Sequence, residues 1–91
     1  MKTEEELLLE GDKAEALVSS EAFGEVVNSL VEDSFQRFVN SKPEEAKQRE
    51  QSYSQYRALI SIVHTLQQRV AVRNEIMAQR ENDDSDSNGE E

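Results

Sequence analysis

The sequence has no cysteine and no tryptophan, and only one proline, three glycines and one histidine. Without cysteine there is no disulfide framework and no thiolate site for zinc or redox chemistry. A lone His64 cannot supply a zinc-ligand cluster. Long apolar runs are missing as well. None exceeds three residues, as in Leu7-Leu8-Leu9 and Ala58-Leu59-Ile60, far short of the ~20 residues that span a bilayer. The opening Met1-Lys2-Thr3-Glu4-Glu5-Glu6 is acidic, whereas a secretory signal needs a basic region followed by an apolar one. Apolar residues are scarce too, at 35% of 91, so one small domain with little core is expected.

What is abundant is acid. Twenty Asp and Glu face ten Lys and Arg, for a net charge of −10. The surplus sits at the ends: residues 1–18 carry −4, residues 19–80 are neutral, and residues 81–91 carry −6. A protein that imitates DNA would spread negative charge over its folded body, and this body is balanced. The acidic ends also oppose direct binding of nucleic acid. The stretch ENDDSDSNGEE, residues 81–91, has no apolar side chain. It cannot offset the entropy of ordering, so a disordered tail is expected.

Periodicity gives three helices. Thr3 and Glu6 have capping-box spacing, and acids fill the first turn that follows. A helix over about 4–18 results, with Leu7, Leu8, Ala14, Leu17 and Val18 as its apolar positions. Gly11 lies in its middle and weakens it by ~1 kcal/mol relative to Ala, so this helix needs a partner. Ser19-Ser20 offers a fresh N-cap. A second helix follows over about 21–40, with Phe23, Val26, Val27, Leu30, Val31, Phe35, Phe38 and Val39 spaced by three and four. Asn40-Ser41-Lys42-Pro43-Glu44 marks the next boundary. Pro43 is suited to a first helical turn, and Ser41 and Glu44 again have capping-box spacing. The third helix is expected over about 43–80, with no internal Gly or Pro.

That third helix carries a heptad seam. Tyr56, Leu59, Val63, Leu66 and Val70 alternate in steps of three and four, and Arg73 breaks the run before Met77. The second helix can cover only half of so long a third helix. The distal half must be covered by the first helix or by another subunit.

Few residues suggest chemistry. There is no G-x-S-x-G elbow, no Gly-rich phosphate loop and no H-E-x-x-H. His64 flanks the apolar stripe and reads as a structural or solvent-edge residue. Asp83, Asp84 and Asp86 lack the Gly and Glu of a calcium loop. Glu32-Asp33 and Glu44-Glu45 are adjacent pairs whose side chains diverge. Tyr53 and Tyr56 read as an aromatic pair packed against Phe35 or Phe38. No catalytic residue, metal site or cofactor is assigned.

Two stretches carry a resemblance. One is Ala16-Leu17-Val18-Ser19-Ser20-Glu21-Ala22-Phe23 with the apolar helix after it. The other is Ser41-Lys42-Pro43-Glu44-Glu45, then Arg49-Glu50, then Tyr53-x-x-Tyr56-Arg57-Ala58-Leu59. Over about residues 14–70 the chain resembles short helical accessory proteins of tailed bacteriophages, which tend to lie among head, packaging and connector genes. The resemblance brings no catalytic motif. It implies a factor acting by protein contact in the cytoplasm of an infected cell or in association with the virion.

The expected fold is all-α: an antiparallel helical hairpin with a long C-terminal helix, a short leading N-terminal helix and a disordered acidic tail. The helical domain spans 1–80 and the tail 81–91. The expected function is non-enzymatic protein–protein interaction in virion assembly or genome packaging. It would act by self-association or with another phage or host protein, and without a membrane. The candidate interaction face is Tyr56, Leu59, Val63, Leu66, Val70, Arg73 and Met77. The alternative is an acidic inhibitor that blocks the nucleic-acid site of a host enzyme or defence complex through Asp83, Asp84, Asp86, Glu90 and Glu91. A third reading, a packaging subunit, would touch DNA through Arg57, Arg69, Arg73 and Arg80.

Overall fold

The computed structural model describes residues 1–89 and is all-α. Helix α1 spans Glu4–Val18, α2 spans Glu21–Val39 and α3 spans Ala46–Gly89. Two of the expected caps form. The Thr3 hydroxyl accepts the Glu6 backbone N–H at 3.2 Å, and the Ser20 hydroxyl accepts that of Phe23 at 3.3 Å. Each satisfies one of the free N–H groups that open a helix.

The third helix differs from expectation at both ends. It starts at Ala46 rather than Pro43, because Pro43 and Glu44 form a turn closed by the Glu45 N–H donating to the Lys42 carbonyl at 2.9 Å. The Ser41–Glu44 capping box is absent. The Ser41 hydroxyl instead donates to the Phe38 carbonyl at 2.8 Å, and the Lys42 N–H donates to the Glu45 carboxylate at 3.2 Å. Arg49 then holds this loop, donating to the Ser41 hydroxyl and the Lys42 carbonyl. At the far end the helix passes Arg80 and its backbone stays helical to Gly89. The helical backbone thus runs through residues 81–89 of the stretch expected as an acidic tail. The segment is polar but holds no Pro, and Gly89 is its first Gly. Residues 90 and 91 of the expected tail lie outside the described residues.

The architecture is a hairpin with one broken arm. Helices α1 and α2 lie end to end along α3 and antiparallel to it. Phe38 meets Tyr53 near the turn, with ring centroids 6.0 Å apart, and Glu4 meets Arg80 at the other end. The question of what covers the distal half of α3 is thereby answered by α1. The result is a rod of 72 × 26 × 21 Å. On α3 up to residue 84, the half-buried or buried positions are Arg49, Ser52, Tyr56, Leu59, Val63, Leu66, Val70, Arg73 and Ile76. Steps of three and four place all of them on one stripe.

Two helices thick, the rod has almost no interior. Ala14 is the one fully buried apolar side chain among the described residues, and Ser34 and Ser52 are buried beside it in rank. Small residues mark where the helices come closest. No helix among the described residues is long and apolar enough to cross a membrane.

Candidate functional site

The structure turns most of the candidate interaction face inward. Tyr56, Leu59, Val63, Leu66, Val70 and Arg73 lie half-buried on the stripe facing α1 and α2, and Met77 is exposed. Tyr56 lines a cavity of about 160 Å³ with Ser34, Phe35, Phe38 and Tyr53. The expected packing of Tyr53 on Phe38 is present. His64 is exposed, as a solvent-edge residue would be.

Arg73 does not end the seam. Its side chain is only 14% exposed, and all five of its N–H donors are used. Two go to the Glu15 carboxylate, at 2.8 and 3.0 Å, in a fork-to-fork pair. One goes to Asp12 at 2.9 Å, and two go to the side-chain oxygen of Asn74. The carboxylates hold the guanidinium pKa above its usual range, the Glu15 hydrogen bonds first. In return the Arg73 hydrogen bonds, then its charge, lower the Glu15 pKa. Only a residue without a side chain lets α1 come this close. A β-carbon on Gly11 would lie 2.3 Å from that of Arg73 and 2.9 Å from the Arg69 carbonyl oxygen.

A second arginine repeats the arrangement further out. Arg80 donates to Glu4 at 2.8 Å and to Glu5 at 2.9 Å, which raises its pKa, Glu5 contributing most. Lys2 pairs with Glu10 and lowers the Glu10 pKa through that hydrogen bond. Much of the −4 charge of the first segment is thus directed at arginines on α3. Of the four arginines in the DNA-contact reading, Arg73 and Arg80 are engaged with carboxylates of α1.

Past Arg80 the helix projects beyond α1. Asp83 and Asp84 of the acidic candidate set are exposed there. Asp86 lies on the helical backbone, and Glu90 and Glu91 fall outside the described residues.

With the seam occupied, much of the free apolar surface lies on the two flanks of the rod. Phe35, Phe38, Tyr53 and Ile60 are exposed on the flank that holds the aromatic cavity. Ile60 belongs there because it follows Tyr53 by two helical turns. The opposite flank is marked near the turn by a groove that Arg37 and Gln55 line. Leu30 precedes Arg37 by two turns, Val26 precedes Leu30 by one turn, and Ile62 follows Gln55 by two turns. Beside the distal half of α3 the same flank holds Glu10 and Arg69. Leu17 follows Glu10 by two turns. Leu17, Val26, Leu30 and Ile62 are all exposed. This second flank was not singled out from the sequence.

Comparison with protein-family models, with curated proteins and with solved structures gave no match for this chain.

Proposed function

We propose that this protein is a non-enzymatic interaction factor that works as an oligomer. The observation that carries the reading is the imbalance of its apolar residues. Ala14 is buried, whereas Leu17, Val26, Leu30, Phe35, Tyr53, Ile60 and Ile62 face solvent. Apolar patches left open on a soluble chain mark protein contacts, and each of the two flanks carries one. A two-helix layer also has two faces and by itself covers neither of them. The sequence adds no nucleophile elbow, phosphate loop or thiol to suggest catalysis. The resemblance to phage accessory proteins makes virion assembly or genome packaging the setting we propose, in the infected cell or on the particle.

The test is the dependence of thermal stability on protein concentration. Association that favours the folded state raises the melting temperature as concentration rises. A hundredfold change in concentration should move the midpoint by several degrees. An invariant midpoint would count against the oligomer.

A second reading has one observation behind it. The exposed Asp83 and Asp84 extend past α1 on a projecting helix, where an acidic arm could enter a basic groove on another protein. Loss of such inhibition in Asp83→Asn, Asp84→Asn, with oligomeric state unchanged, would favour it.

A further inference from the structure

We infer that the flank bearing Leu17, Val26, Leu30 and Ile62 is the seat of a second copy of this chain, related to the first by a two-fold axis near Ile62. The inference rests on the oligomeric reading above and assigns it a surface.

The four residues come from all three helices yet gather at one level of the rod. Phe38 packs against Tyr53. Eight residues back along α2 is Leu30, and eight residues forward along the antiparallel α3 is Ser61, so Leu30 stands level with Ile62. Gly11 lies between Arg69 and Arg73. Six residues on from Gly11 is Leu17, and the matching step back along α3 reaches residues 63–67. Val26 lies one turn from Leu30, in the same direction. Val26 is 58% exposed and Ile62 51%. The patch therefore sits where α1 gives way to α2, near the middle of the stretch of α3 that they cover, residues 46–80.

The exposed area is large enough to seat a second copy. A folded monomer of this mass exposes roughly 5,400 Å², and this chain exposes 7147 Å². The excess is roughly 1,700 Å² by the same scaling. The projecting end of α3 accounts for part of it. Half of it, roughly 850 Å², is still what each partner contributes to a stable interface of standard size. Every copy carries the same excess and the same patch, and a two-fold axis sets such a patch against itself. Position selects the flank. Two rods 72 Å long that meet at their middles overlap along most of their length. On the other flank the exposed aromatics Phe35, Phe38 and Tyr53 gather near the turn and only Ile60 lies at the middle. Rods centred on that cluster by a two-fold axis across their length overlap only near the turn. The central contact makes a bundle of two layers, the usual way for a helical layer to bury a face.

The test compares the two flanks. Leu30→Glu and Ile62→Glu should each halve the solution mass measured by light scattering, with helicity by circular dichroism retained because both positions are exposed. Phe35→Glu and Ile60→Glu on the other flank should leave the mass unchanged. The absence of native cysteine permits a second readout. A spin label on Ile62→Cys should report a distance between copies shorter than the 26 Å width of one rod, and a label on Ile60→Cys a longer one. A wild-type chain that is monomeric at every concentration would overturn both this inference and the oligomeric reading. An oligomer that survives Leu30→Glu and Ile62→Glu, or that is broken by the changes on the other flank, would overturn the inference alone.

Discussion

Gly11 and Arg73 face each other across the α1–α3 contact with no room for another carbon: a β-carbon on Gly11 would stand 2.3 Å from that of Arg73. By helix propensity alone, Gly11→Ala should stabilise α1 by ~1 kcal/mol. The structure reverses the sign. The obstructing atoms are the root of a side chain and the Arg69 carbonyl oxygen, and neither moves without moving the helix. Overpacking costs roughly 1–3 kcal/mol. The expected net effect is a melting temperature several degrees lower, measured at fixed concentration. Gly24 is the control, since a β-carbon there meets nothing within 4 Å, and Gly24→Ala should leave stability equal or higher. A stabilised Gly11→Ala would mean that α1 does not pack as described.

The clasp of Arg73 on Glu15 gives a pH dependence with a defined sign. The Glu15 pKa is lowered by the Arg73 hydrogen bonds from an ordinary value of about 4.3. A lowered carboxyl pKa contributes stability that is complete above the unfolded value and is lost as pH falls through the folded one. Wild type should therefore melt above Glu15→Gln at neutral pH. The gap should close below about pH 4, the region where the unfolded carboxyl gains its proton. Measuring the gap rather than the absolute midpoint cancels the general effect of neutralising the other acids. A gap that is constant from pH 7 to pH 3 would show that the pair contributes nothing to folding.

Arg73→Lys should not rescue the clasp. Lysine keeps the charge but cannot present two parallel N–H donors to Glu15 while reaching Asp12 and Asn74. The variant should resemble Arg73→Gln in melting temperature more than it resembles wild type. Full stability in Arg73→Lys would show that charge alone, and not the forked geometry, holds α1.

Ser34 is fully buried and its hydroxyl has no hydrogen-bond partner. A buried unpaired polar group costs roughly 1–3 kcal/mol, and alanine is also the better helix former. Ser34→Ala should raise the melting temperature. A fall would mean that the hydroxyl has a partner in solution.

The distribution of signal between sequence and structure follows from locality. The caps at Thr3 and Ser20 and the stripe from Tyr56 to Val70 depend on residues three and four apart, which the sequence displays directly. Gly11 and Arg73 depend on each other across some sixty residues, so each alone reads as a defect: a glycine inside a helix, a charge inside a seam. Together they are one contact. A signal existed in Asp12 and Glu15, two acids three apart on a helix in need of a partner. The extension of α3 past Arg80 was missed because composition argued for disorder, while the absence of Pro leaves a helix nothing to stop it before Gly89. The flank of Leu17, Leu30 and Ile62 was hidden for another reason. Which side of a helix faces out is settled only when its neighbours are placed, and the heptad seam had drawn the interaction face to itself.

The central claim is that the rod as it stands is half of a functional unit. Its most direct test is the solution mass of the wild-type chain by light scattering after size exclusion, over a tenfold dilution. The account predicts twice the chain mass of 10.4 kDa, held across the dilution. A single-chain mass at every concentration would contradict it.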